Sequence, residues 1–141
     1  PVLGDEAALR QILTNLLANA RVHTPAGTRV VVSLTRSDDE AVAACVRARG
    51  CAKGQGKAEG APASSMVTIR VADDGPGIPP AIRDRVFDRF VRGDSSRTRD
   101  GRGSSGLGMS IVESLARAMG GAVRLADSEK GTVIEVMLPA A

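Results

Sequence analysis

The sequence predicts a two-layer α/β sandwich, a mixed, mostly antiparallel sheet with about three helices on one face. Three observations carry that prediction. Leu9, Ile12, Leu13, Leu16, Leu17 and Ala20 form the apolar stripe of an amphipathic helix. The segments 29–36 and 67–73 are β-branched or alternating runs, and the chain closes with a second helical stripe followed by two short runs joined by a turn. The 141 residues suffice for one core and not for two domains of ordinary size, so 1–141 is read as a single domain.

Composition narrows the function classes. Apolar residues are 43% and charged residues 25%, close to globular averages, so the chain is expected to fold. Phe87 and Phe90 are the only aromatics, which removes the stacking platforms that single-stranded nucleic acid needs, despite a net charge of +3. No apolar run approaches the roughly 20 residues of a membrane span and no signal peptide opens the chain, so it is expected to be soluble, cytoplasmic and without membrane contact of its own. Cys45 and Cys51 lack the spacing and histidines of a zinc site and read as reduced thiols.

The first helix starts at Asp5 or Glu6 and ends near Thr24-Pro25, because the residue before proline leaves the α region. Asn15 and Asn19 share one side of it, at the rim of the stripe. Asparagine is a middling helix former, so propensity does not explain the pair. Their amide oxygens suit a hard cation such as Mg²⁺, and solvated surface amides are the plainer alternative. His23, the only histidine, falls on the last turn, where the helix dipole alone would account for it. Val30, Val31, Val32 and Leu34 read as a core strand, with Val42, Ala44 and Val46 extending a hairpin. The rest of 37–65 reads as a flexible insertion by composition.

Val67, Ile69 and Val71 alternate with polar residues, and Asp73 continues their inward set before Asp74-Gly75-Pro76-Gly77-Ile78. A carboxylate on a buried face costs several kcal/mol unless something pairs with it, and an exocyclic base amine would suit. A plain Asp-Gly turn is the alternative. Pro79-Pro80 opens a short helix whose apolar side is Ile82, Val86, Phe87 and Phe90. From Arg92 to Ser105 apolar residues vanish and four arginines appear, which predicts a mobile segment ordered by an anion or a solubilising loop. Gly103, Gly106 and Gly108 run into a helix over 109–119 that Gly120-Gly121 stop, either a phosphate cradle or an ordinary turn. Their order matches neither the dinucleotide fingerprint nor a P-loop. A hairpin over 122–138 closes the sheet.

With these residues in view, the chain resembles the catalytic ATP-binding domain of two-component sensor histidine kinases, in the group that includes gyrase, Hsp90 and MutL ATPases. The resemblance covers about Gly4 to Pro139. It implies an asparagine box at Asn15–Ala20, with Asn19 as Mg²⁺ ligand and Asn15 beside it, and a glycine box at Asp73–Gly77 in which Asp73 accepts from the adenine amino group. It further implies a phenylalanine box at Phe87–Gly93, a second glycine box at Gly103–Gly108, and an ATP lid over 92–105. Expected nucleotide contacts are thus Asn19, His23, Asp73, Gly75, Gly77, Ile78, Phe90, Gly103, Gly106, Leu107 and Gly108, with Asn15, Asn19 and Arg92 as the catalytic set. The chain departs from the family at Ser104, where a second leading glycine is common, and at Val22-His23, where a basic and an aromatic residue usually stand.

Asn15 occupies the place of the water-activating glutamate of the related ATPases, and an amide cannot take that proton. Phosphoryl transfer is therefore expected over hydrolysis, to a histidine on a dimerisation domain, same or separate polypeptide, with a response regulator acting downstream. The alternatives are a nucleotide-binding regulatory module without transfer activity and, less favoured, a serine kinase of the anti-sigma type.

Overall fold

The structure, a computed structural model, describes Val2 and residues 4–39, 65–88 and 107–140. Helix α1 (Glu6–Val22) begins where expected, because the Asp5 carboxylate accepts from the Ala7 N–H at 2.9 Å and caps the first turn. It buries Ile12, Leu16 and Ala20 and ends at His23, whose N–H donates to the Asn19 carbonyl at 3.1 Å. Helix α3 (Gly108–Ala118) buries Met109, Val112 and Ala116. Gly120, at φ +73°, stops it, and the Gly121 N–H closes on the Ala116 carbonyl at 2.8 Å.

Strands β1 (Val30–Ser37), β2 (Met66–Asp73), β3 (Ala122–Ala126) and β4 (Thr132–Pro139) form one sheet in the order β1-β2-β4-β3, and every pairing in it is antiparallel. Register fixes the two faces. Val71 lies opposite Ile134 and Ile69 opposite Val136, and these side chains meet Ile12, Leu16, Met109, Val112 and Ala116 in one core. The other face carries a row in which Arg70, Glu135 and Arg124 stand side by side on three strands, Glu135 pairing with both arginines. Such cross-strand pairs contribute roughly 0.2–1 kcal/mol each. No described helix is long and apolar enough to cross a membrane.

Two expectations change. The run Val30, Val31, Val32 and Leu34 forms a strand but not a core strand: among the described residues β1 has one neighbour, and Leu34 is 68% exposed. Branched side chains favour the extended backbone wherever it lies, so composition marked the strand and not its depth. The helix after Pro79 is a single turn, α2 (Pro80–Arg83), continued by i to i+3 bonds from the Arg85 N–H to Ile82 and the Asp88 N–H to Arg85. Val86 and Phe87 still pack on the core. Phe90, the hairpin extension at Val42–Val46, both cysteines and the lid at 92–105 lie outside the described residues.

Leu16 is 1% exposed, so Leu16→Ala should cost about 2–5 kcal/mol in urea unfolding, whereas Leu34→Ala should stay within about 0.5 kcal/mol. Similar losses for both would contradict this division of the core. Burial pushes the His23 imidazole below its ordinary 6.5, against the dipole of α1, which would raise it. The folded chain therefore binds this proton less readily than the unfolded one. Its contribution to stability is complete above pH 6.5 and is lost as pH falls from there through the folded value. Urea midpoints of His23→Gln should accordingly fall less between about pH 7 and pH 5 than those of the parent, and parallel profiles would refute the assignment.

Candidate functional site

Strand β2 ends in a carboxylate on its inward face. Asp73 is half-buried and opposite Thr132, and its Oδ1 accepts from the Gly75 N–H at 3.0 Å and from the Thr132 N–H at 3.3 Å. The demand that a buried face places on an acid is thus met in part by backbone donors. Among the described residues no hydrogen bond reaches Oδ2, which leaves a fixed acceptor at the end of the core. Asp74 does a different job one residue later. It is exposed, accepts from the Arg29 N–H at 2.8 Å, and returns its own N–H to the Arg29 carbonyl at 3.2 Å, tying the start of β1 to the end of β2.

The loop after Asp73 is gripped from two sides. A Cβ at residue 75 would come within 2.7 Å of Thr24 Cγ2 and 3.0 Å of Asp73 Oδ1, so a side chain there would push on Thr24 and crowd the acid. Gly77, at φ +79°, faces the Gly131 carbonyl of the β3–β4 turn. Ile78 is half-buried, as is His23 beside Thr24.

On α1, Asn15 and Asn19 both sit half-buried at the border of the stripe. Asn15 Oδ1 accepts from Gln11 Nε2 at 3.2 Å, while its Nδ2 is buried with no partner among the described residues. An orphaned buried donor costs roughly 1–3 kcal/mol, so among the described residues this amide is left able to donate. Gly108 lies next to it: a Cβ there would be 4.0 Å from Asn15 Cβ and Cγ. Helix α3 starts at this point with Leu107 as its N-cap residue and no side-chain cap, in contrast to α1 and its Asp5. Among the described residues no side chain caps the first turn of α3, and its start lies beside the Asn15 amide, an arrangement that suits an anion.

Of the residues expected to hold a nucleotide, Gly108 lies beside Asn15, Gly75 beside Asp73 and Thr24, and Gly77 against Gly131. Asn19 follows Asn15 by one turn of α1, and His23, Ile78 and Leu107 are half-buried next to Thr24, Gly77 and Gly108 in the chain. Phe90, Arg92, Gly103 and Gly106 lie outside the described residues. Sequence reasoning passed over the Thr132 N–H and Gly131. Gly131 reads as the end of a hairpin turn and Thr132 as the start of a strand, and only strand register shows that they face Asp73.

Known proteins resemble the chain over nearly its whole length. The family of histidine kinase-, DNA gyrase B- and HSP90-like ATPases matches residues 4–141. The probable sensor histidine kinase TcrY of Mycobacterium tuberculosis is 39% identical over 136 residues, which are 96% of this chain and 23% of TcrY. The chain thus spans less than a quarter of that relative. Among solved structures, the mycobacterial sensor histidine kinase MprB aligns with a TM-score of 0.66 at 32% identity, covering 98% of this chain and 76% of that one. Full-length ShkA in complex with AMPPNP aligns at 0.62 and 33% identity, covering 99% and 23%. With the family match over nearly its whole length, the chain belongs to the histidine kinase-, DNA gyrase B- and HSP90-like ATPases.

Proposed function

We propose that these 141 residues form a single domain, the catalytic ATP-binding domain of a two-component histidine kinase, which moves the γ-phosphate of ATP to a histidine on a separate dimerisation domain. The observation that supports this reading is the buried Asn15 amide, without a partner among the described residues, beside the start of α3, and a half-satisfied Asp73 ends the inward face of β2. Asp73 Oδ2 accepts from the adenine amino group. The N–H groups opening α3 and Asn15 Nδ2 donate to phosphate oxygens. Asn19 fits Mg²⁺ through its amide oxygen, since no described hydrogen bond occupies its side chain and the phosphates complete the shell. When bound, the ion neutralises charge on the triphosphate. His23 and Ile78 border the base.

Gly75 and Gly77 shape the loop, and Leu107 and Gly108 the cradle. Roles for Phe90, Arg92, Gly103 and Gly106, for an insertion at 37–65 and for a lid at 92–105 rest on the sequence resemblance. In the transfer step the acceptor imidazole nitrogen forms a bond to the γ-phosphorus, the bond to the β,γ-bridging oxygen breaks, and ADP leaves with its electrons. His23 sits at the base end, so the acceptor is another residue. The relatives are sensor kinases of which this length is a fraction, in support of a cytosolic catalytic part within a longer receptor that signals to a response regulator.

Titrating ATP with and without Mg²⁺, then mixing the chain with a purified histidine-bearing dimerisation domain and labelled ATP, tests the reading. Label on that histidine is expected. Tight binding without label would leave a regulatory nucleotide module, and no binding would remove both. Asp73→Asn keeps an oxygen for the Gly75 and Thr132 donors and turns the other position from acceptor to donor. Its ATP affinity should drop by on the order of 2 kcal/mol, about thirtyfold, with the melting temperature of the unliganded domain nearly unchanged. The opposite pattern would return Asp73 to a structural turn. Asn19→Ala should abolish the Mg²⁺-dependent part of ATP affinity in the same titration while leaving the metal-free part in place.

A further inference from the structure

We propose that Gln11 is the positioning residue for the phosphate contact of Asn15, the outer member of a hydrogen-bond relay that runs from Gln11 through Asn15 to the nucleotide; this rests on the phosphate reading of Asn15 given above. Gln11 and Asn15 lie one turn apart on α1, and Gln11 Nε2 donates to Asn15 Oδ1 at 3.2 Å. Gln11 is exposed, whereas Asn15 Nδ2, the other end of the same amide, is buried without a partner among the described residues. The polar neighbours on the helix are engaged elsewhere. Arg10 donates to Glu6 at 3.0 Å, and the Thr14 hydroxyl donates to the Arg10 carbonyl at 2.8 Å. Among the described residues, Gln11 is thus the one side chain hydrogen-bonded to Asn15.

An asparagine amide has a donor end and an acceptor end, and half a turn of its last torsion exchanges them. That torsion decides whether the buried end, on the side chain next to Gly108, is an N–H or a carbonyl oxygen. The oxygens of ionised ATP accept and do not donate, so the productive state turns Nδ2 to the ligand, and Oδ1 then needs a donor of its own. Gln11 supplies it. Both hydrogen bonds run in one direction and polarise each other, so the pair tightens when an anion takes Nδ2. As a surface pair of a helix, glutamine and asparagine at this spacing add little stability. The value of the contact is the polarity it gives Asn15.

ATP titrations of single and double variants test the relay. Gln11→Met keeps the length and helix propensity without charge, so the unliganded domain should melt near the parent's temperature while ATP affinity falls about fivefold. On an Asn15→Ala background the same change should cost nothing further, because no amide is left to orient. Gln11→Lys, which can only donate, should bind at least as tightly as the parent. Gln11→Glu, which can only accept and so draws Nδ2 away from the ligand, should lose more than Gln11→Met. These two also alter charge, and repeating them on Asn15→Ala isolates that part.

A Gln11→Met chain with the parent's ATP affinity, or a loss of the same size with and without Asn15, overturns the proposal. So does a Gln11→Glu loss that persists undiminished on Asn15→Ala, since charge alone then accounts for it. An Asn15→Ala chain that binds ATP as the parent does, or a parent that binds none, instead removes the phosphate reading of Asn15, and the relay falls with it.

Discussion

A carboxylate stands on the same strand face that builds the hydrophobic core, and the rest of the molecule is arranged around that fact. Ile69 and Val71 spend their side chains on α1 and α3, and Asp73 follows them at the point where the sheet runs out. An acid there is tolerable because two backbone N–H groups, one from its own loop and one from β4, converge on a single oxygen. The geometry that satisfies Oδ1 also immobilises Oδ2. One arrangement of backbone donors thus satisfies the acid and fixes the direction of its second oxygen.

The same economy appears at the junction of the two long helices. Helix α1 is capped by its own Asp5 and is complete without a ligand. Helix α3 has no such cap and starts beside an asparagine whose amide nitrogen is buried without a partner among the described residues. A buried amide donor and the first turn of a helix without a side-chain cap thus lie side by side, and both are groups that suit negatively charged oxygens. Packing of Ile12 and Leu16 against Met109 and Val112 holds the two in place, so core and site cannot be separated energetically. The position of Asn15 also bears on reaction class, since an amide can donate to a phosphate but cannot remove a proton from water.

Much of the fold was legible from patterning. The 3.6-residue stripes of α1 and α3, the cap at Asp5, the stop at Gly120-Gly121 and the alternation of β2 and β4 are local properties, and each element stands where periodicity put it. Depth was not legible. The branched residues of β1 look the same whether a strand is central or at an edge, and their exposure follows from which strands flank them. The helix after Pro79 shortened to one turn because Val86 and Phe87 reach the core through a tighter i to i+3 path.

What the chain alone determined is therefore the inventory: an inward acid at 73, a pair of amides one helical turn apart, and glycines ahead of a helix, each fixed by spacing within a single element. What tertiary structure decided is which of their atoms are already engaged. Register between β2 and β4 brought the Thr132 N–H to Asp73, close approach made residue 131 a glycine position, and helix packing set Gly108 against Asn15. These contacts join residues some 60 to 90 positions apart. No local pattern encodes them, because they exist only once the sheet and the two helices have closed on a common core.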